Sequence, residues 1–307
     1  MFLLICLVMQ NRIIGGPACR VVRSLMPLED FLIDCWVLED APYGDITTAP
    51  IPRRNVRAKI VAKSQGVVAG LWLVERICRR YGLDVHKSVN DGDEIKVGDI
   101  IAEIVWDSHT VLILERLLLN LLIYLSGVAT ATRRFAEKIR RINPKIRIAT
   151  TRKTIPGLRY SSKEAAKLGG GDTHRFGLSD CYLIKDNHIV LAGGISEAVR
   201  LARSSSSFTK LIEVEVRSLR EAIEAAEAGA NIIMFDNMPP DEIARAIEEL
   251  KRRGLRDRLI LEASGGITLE NVEDYARLDI DVISTSAITL RPDLVDMSLK
   301  IVDIEKP

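Results

Sequence analysis

A chain of 307 residues, 47% of them hydrophobic, is long enough for one large or two ordinary domains with real cores. Its 43 basic and 42 acidic residues leave a formal net charge of +1, so nothing global draws it to nucleic acid or an anionic membrane, and any anion site must be a local cluster. Cys6, Cys19, Cys35, Cys78 and Cys181 are scattered, odd in number and form no C-x-x-C pair, which points to a reducing, cytoplasmic setting and away from a disulfide framework or zinc site.

The opening "MFLLICLVMQNRIIGG" is too short an apolar run to span a bilayer, and it lacks the preceding basic residue of a signal peptide. Residues 1–26 are expected to be an extension, either poorly ordered or translated from a start codon upstream of Met26. "PLEDFLIDCWVLED" then reads as the first helix. From Asn55 to Val105 the text is strand-rich around a helix, "LWLVERICRRYG", and the Gly-Asp turns of "DGDEIKVGDIIAEIVWD" predict short antiparallel strands. That last piece is also like the half-sandwich of lipoyl and biotinyl carriers. It has no lysine in an "MKM"-like hairpin tip, so a sandwich without covalent cargo is expected.

Residues 108–142 predict a long helix, with Ser108 as its N-cap and a relaxation at Ser126-Gly127. Its first half is apolar almost all round, as in a helix buried between domains or subunits. Within "LILERLLLNLL", Arg116 must either pair with Glu115 or Asn120 or face something anionic, and pairing is the expectation from the residues alone. No other segment reads as a membrane span.

Beyond the helix, short apolar strands alternate with helices. "IRIATT", "CYLIKD", "LIEVEV", "NIIMFDN", "LILEAS" and "DVISTSA" are separated by helical texts such as "SLREAIEAAEAGA" and "PPDEIARAIEELKRRG". Such alternation means parallel strands with crossover helices, and this many repeats favour a β/α barrel over an open sheet.

Ligands of a β/α barrel bind at the carboxyl ends of its strands. Arg152 and Lys153 follow "IRIAT" there, His174 and Arg175 follow the glycines 169–171, and Lys185, Asp186, Asn187 and His188 follow "CYLI". "LIEVEV" puts Glu213 and Glu215 on one face, "NIIMF" ends on Asp236 and Asn237, and "LILEA" ends on Ser264, Gly265 and Gly266. So many cations in one mouth of a nearly neutral protein call for a ligand with several negative charges. Arginine suits bidentate carboxylate or phosphate binding, and the "SGG" turn lets backbone N–H groups approach a phosphate. Glu215 and Asp236 are hard oxygen donors suited to Mg²⁺. Taken singly, each residue has a structural alternative: Arg152 and Lys153 could pair with Glu213 or Glu215, and His188 could be a cap. Taken together at strand ends, they read as a site for a polyanion with a divalent metal.

The segments "TTRKTIPGLR", "GGGDTHRFGLSDCYLIKDNHI", "IEVEV", "IIMFDNM" and "LEASGGIT" resemble the quinolinate phosphoribosyltransferase family, and "EDAPYGDITT" and "LERLLLNLLIYLSGVATAT" extend the resemblance to roughly residues 28–305. It implies an incomplete, six- or seven-stranded, TIM-like β/α barrel plus an N-terminal α/β sandwich domain. The corresponding boundaries are 27–128 for the N-terminal domain, 129–288 for the barrel, and 289–307 for a segment returning to the N-terminal domain. It further implies a homodimer with shared active sites, or a hexamer built as a trimer of dimers, with Arg116 lent to the neighbouring subunit. Arg152, Lys153, His174, Arg175 and Lys185 match positions gripping quinolinate and phosphates. Glu215 and Asp236 match positions serving Mg²⁺ and the ribose, and Ser264, Gly265 and Gly266 match the phosphate loop; Lys153, Glu215 and Asp236 are the expected catalytic residues.

The reaction implied joins the ring nitrogen of quinolinate to C1 of phosphoribosyl pyrophosphate, yielding nicotinate mononucleotide, pyrophosphate and carbon dioxide on the route to NAD. One departure stands out. Where the family carries "VGALTH", this chain reads "STSAITL", so Ser286 occupies a glycine position and Leu290 replaces a histidine. That departure keeps open a related phosphoribosyltransferase acting on another acidic heterocycle.

Overall fold

A computed structural model describes residues 28–304; the expectation for residues 1–26 lies outside them. The chain begins with α1 (Leu28–Asp40), β1 (Asn55–Ala62), β2 (Gly66–Val67), α2 (Leu71–Arg80), β3 (Asp84–Lys87), β4 (Glu94–Ile95) and β5 (Ile100–Asp107). Alternation in β1 turns Val56, Ala58, Ile60 and Ala62 inward. The last strand, β12 (Met297–Ile304), pairs antiparallel with β1, from Val56 opposite Ile304 to Ala62 opposite Met297. The result is a four-stranded antiparallel sheet in the order β12-β1-β5-β3, with β2 and β4 as a separate antiparallel pair. Helix α1 is tied to α2 by ion pairs: Arg76 to Glu29 and Asp30, and Arg80 in a two-pronged bond to Asp34. These arginines hold the carboxyls of Asp30 and Asp34 below the usual range, chiefly by hydrogen bonding.

Helix α3 (Ser108–Ile142) differs from expectation at two points. Its N-cap is Asp107, whose carboxylate accepts from Thr110 N–H at 3.0 Å, rather than Ser108. It also runs unbroken through Ser126-Gly127, where small residues serve packing. Ser126 Oγ accepts from Ala69 N–H at 3.0 Å, and a Cβ on Gly127 would stand 2.8 Å from the Asp293 carbonyl that crosses it. By length and composition this helix could cross a membrane, contrary to the sequence expectation. In the fold, however, 56% of its most apolar stretch is buried, as in a core helix.

After α3 come β6 (Arg147–Ala149), α4 (Arg159–Leu168), β7 (Tyr182–Ile184), α5 (Asp186–Ala192), α6 (Ile195–Ser205), β8 (Ile212–Val216), α7 (Leu219–Glu227), β9 (Ile232–Asp236), α8 (Pro240–Arg252), a short 3-10 turn (Arg256–Arg258), β10 (Ile260–Ser264) and α9 (Val272–Ala276). β11 (Val282–Ser284) and α10 (Ala287–Leu290) then lead into β12. The six strands are parallel, in the order β6-β11-β10-β9-β8-β7. A single bridge between Ala149 and Asp172 extends the free side of β6. Just beyond it, His174 reaches across to side chains of β8 and β10, so the sheet is curled, and the barrel is incomplete between Asp172 and β7.

Candidate active site

A cavity of about 570 Å³ opens at the carboxyl ends of the parallel strands. Arg152, Lys153, His174, Arg175, Lys185, Glu215, Asp236, Ser264, Gly265, Gly266 and Ser286 all line it. Arg116 does not: it is exposed on α3 and makes no ion pair among the described residues, so the expected pairing with Glu115 or Asn120 is absent.

The strand β6 delivers the first two cations. Thr151 Oγ1 accepts from Lys153 N–H at 3.0 Å, and Thr289 Oγ1 donates to the Lys153 carbonyl at 2.7 Å, so the loop is held from both sides. Gly157, at φ +85°, then turns the chain away. Arg152, Lys153 and Arg175 have no carboxylate partner among the described residues, and the buried Nε of Arg152 has no hydrogen bond. The alternative in which Arg152 and Lys153 pair with Glu213 or Glu215 is therefore not what the fold adopts.

The glycines before His174 serve α3 rather than a ligand. A Cβ on Gly169 would lie 2.4 Å from the Ala129 carbonyl, and one on Gly171 would lie 2.6 Å from the Thr132 side chain. The chain then enters a left-handed turn at His174 (φ 51°), whose N–H donates to Asp172 Oδ1 at 2.8 Å. His174 Nε2 stands 3.5 Å from Glu213 and 3.3 Å from Glu262, both buried. Burial opposes charge on the ring, but these two carboxylates outweigh it and raise the imidazole pKa to about 10. Burial likewise raises the Glu213 carboxyl. Both shifts describe one cluster that keeps an extra proton. Because Nδ1 accepts from Arg175 N–H at 2.8 Å, that proton belongs on the Nε2–glutamate side. Ligand atoms of His174, Glu213 and Glu262 lie within 4.8 Å of one another, yet a metal on Nε2 would leave both ring nitrogens without a proton, so this trio does not suit one.

Glu262 also accepts from Ser284 Oγ, which lies 2.9 Å from Ser264 Oγ and so links the histidine cluster to the "SGG" loop. In that loop a Cβ on Gly265 would stand 2.5 Å from Asn237 Oδ1, which explains one glycine by packing. Gly266 has φ +63°, and a Cβ there would meet only Asn237 Oδ1 at 3.8 Å; its carbonyl accepts from Asn271 Nδ2 at 3.1 Å, and its N–H is left to meet a ligand.

On the opposite wall Lys185 forms an ion pair with Glu215. The ring of His188 accepts from the N–H of Lys185, the N-cap residue of α5, at 3.0 Å, so His188 serves the helix start as its capping-box partner. Arg217 approaches Glu215 at 3.8 Å, Asp236 at 3.5 Å and Asp186 at 3.2 Å. Sequence reading missed Arg217, although its place one residue past β8 is itself a strand-end address. It also missed Glu262, Ser284 and Arg291, the last two of which line the cavity. Glu262 hides in a strand, and only three-dimensional proximity to His174 reveals it.

Two family models match this chain: the quinolinate phosphoribosyl transferase C-terminal domain over residues 128–300, and the N-terminal domain of the same family over residues 45–126. The chain is 48% identical over 260 residues to a probable nicotinate-nucleotide pyrophosphorylase (carboxylating) of Archaeoglobus fulgidus, covering 85% of this chain and 99% of that protein. It is 37% identical over 273 residues to the nicotinate-nucleotide pyrophosphorylase (carboxylating) of Homo sapiens, covering 88% and 90% respectively. Among solved structures, NadC from Streptococcus pyogenes superposes with a TM-score of 0.82 at 34% identity, covering 90% of this chain and 97% of that one.

Proposed function

The chain belongs to the quinolinate phosphoribosyltransferase family, and we propose a working arrangement of its cavity for the family reaction. The enzyme joins the ring nitrogen of quinolinate to C1 of phosphoribosyl pyrophosphate, giving nicotinate mononucleotide, pyrophosphate and carbon dioxide. The observation that carries the arrangement is the set of cations without a carboxylate partner among the described residues, Arg152, Lys153 and Arg175, with the Nε of Arg152 buried and unbonded. A buried donor without an acceptor is costly, so a ligand bearing several anionic oxygens completes the site.

In this reading Arg152, Lys153 and Arg175 grip the two carboxylates of quinolinate and adjoining phosphate, His174 lines the same wall with both ring nitrogens engaged by Arg175 N–H and the two glutamates, and Lys185 holds phosphate. Ser264, Gly265 and Gly266 receive a phosphate on backbone N–H groups, with the hydroxyl of Ser286 at the same wall. As pyrophosphate leaves, C1 gains oxocarbenium character, and the carboxylates of Glu215 and Asp236 offset it. Quaternising the ring nitrogen withdraws electrons from C2, so the adjacent carboxylate departs as carbon dioxide and the electron pair left on C2 takes a proton from water, without a dedicated protein acid or base. Orientation and preorganised charge do most of the work.

The donor set fits Mg²⁺: Glu215 and Asp236 are hard oxygen ligands, both within reach of the one Arg217 guanidinium, and too few to strip the ion of its waters. When bound, the ion neutralises charge on the pyrophosphate.

Arg116 enters this scheme from a neighbouring subunit, as a homodimer or a trimer of dimers. Its exposure without an ion pair among the described residues supports that, as do the almost fully exposed Tyr43 and Ile46. The division into residues 27–128, 129–288 and 289–307 and a cytoplasmic location complete the proposal. The direct test supplies quinolinate, phosphoribosyl pyrophosphate and Mg²⁺ and follows nicotinate mononucleotide and carbon dioxide. Turnover of nicotinate with none of quinolinate would overturn the reading.

A further inference from the structure

Lysine is almost never fully buried without a partner carboxylate, yet Lys163 on α4 is 0% exposed and forms no ion pair among the described residues. It does not line the cavity. Its ammonium donates to the backbone carbonyl of Thr173, to that of Arg175 at 2.8 Å, and to Thr150 Oγ1 at 3.3 Å. Those three acceptors use all three of its N–H bonds. The two carbonyls flank His174, the residue held at φ 51°, a conformation that costs an ordinary side chain energy and persists only where its surroundings impose it.

We propose that Lys163 is a positioning residue for the reaction: its ammonium clasps the carbonyls on both sides of His174 and thereby fixes the His174–Arg175 pair toward the substrate.

Thr150 and Asp172 assist, through Thr150 Oγ1 on the Thr173 carbonyl at 2.8 Å and Asp172 Oδ1 on His174 N–H at 2.8 Å. Neither touches the Arg175 carbonyl, which depends on Lys163. A charged donor suits the task because its bonds to carbonyls are roughly twice as strong as neutral ones. The face of Phe176, 5.5 Å from the ammonium, adds to its solvation. Lys163 thus places a third cation behind Arg152 and Arg175 without contacting the ligand.

This inference rests on the reading of the cavity as a quinolinate site. The test compares wild type, Lys163→Met and Lys163→Gln as purified full-length protein. Quinolinate binding is measured by calorimetry, and KM and kcat are measured for each substrate. The Met variant is expected to bind quinolinate about tenfold or more weakly, with the KM for phosphoribosyl pyrophosphate changed less than about threefold. Gln, a neutral donor, is expected to recover about half of that loss on a logarithmic scale. In an Arg175→Ala background the Met substitution should add less than about twofold, because the clasp then has little left to position. Wild-type-like quinolinate binding in both variants, an equal loss for both substrates, or full additivity with Arg175→Ala overturns the proposal. If the Met variant fails to fold, the Gln variant decides by the same substrate selectivity. Absence of quinolinate binding by the wild type would instead overturn the functional reading itself.

Discussion

Arg217 Nε lies 3.5 Å from an Asp236 carboxylate oxygen, and the same guanidinium lies 3.8 Å from Glu215, so one exposed arginine bridges the two acids assigned to the metal. A divalent cation drawn to those acids competes with it. Arg217→Ala is expected to lower the Mg²⁺ concentration for half-maximal rate by roughly two- to fivefold, a modest change because solvent screens an exposed charge. A magnesium titration of initial rates checks this; a higher requirement would argue against a metal at Glu215 and Asp236.

The cavity holds two kinds of cation, and they should respond differently to truncation. Arg152 has no carboxylate partner, so Arg152→Ala is expected to lower kcat/KM by about a hundredfold or more while leaving the melting temperature unchanged or slightly higher. Lys185 is the nearer of two cations on Glu215, which is 9% exposed, so Lys185→Ala leaves a largely buried charge with only the exposed Arg217 at 3.8 Å. That variant should lose both activity and thermal stability. Melting curves of the two proteins, run side by side, decide the matter; equal destabilisation would remove the distinction.

Arg116 stands outside the cavity of its own chain. If it serves a neighbour, Arg116→Ala and Lys153→Ala subunits are each inactive, and a one-to-one mixture regains about a quarter of wild-type activity, since half the dimers are mixed and each has one intact site. Verified mixed dimers without activity would exclude a shared site.

Lys163 gives stability a pH signature. Burial, with Arg159 as the next influence, holds its ammonium down to about 8 from the ordinary 10.5. Between those values the unfolded chain binds a proton that the folded chain has released, so this residue's contribution to stability rises with pH across that window. Below pH 8 the cost of burying the charge is present in full. Methionine has no proton to lose. The melting temperature of wild type relative to Lys163→Met should therefore climb as pH is raised from about 8 to about 10. A difference independent of pH would mean that Lys163 keeps its ordinary basicity.

Much of this molecule was readable from local pattern. All six barrel strands fall within the apolar runs that predicted them, and of the proposed strand-end residues all but Asp186, Asn187, His188 and Glu213 line one cavity. Strand period and chain order are local properties, and in a β/α barrel they set which end of the sheet a residue occupies. The errors were of another kind. Small residues at 126–127 read as a relaxation within the long helix because their neighbours, Ala69 and Asp293, are remote in sequence. Lys163 drew no attention in the sequence, although Ala165 and Ala166 beside it are buried.

By itself, then, the sequence determined the alternation of strands and helices, the address of the cations and acids at strand ends, and the family. Tertiary structure alone decided which charges are satisfied within the chain. Lys185 finds Glu215, His174 finds Glu213 and Glu262, and Arg152, Lys153 and Arg175 find no carboxylate among the described residues. Ion pairing depends on separations of a few ångströms between groups that different strands bring together, and residue order along the chain does not encode those distances.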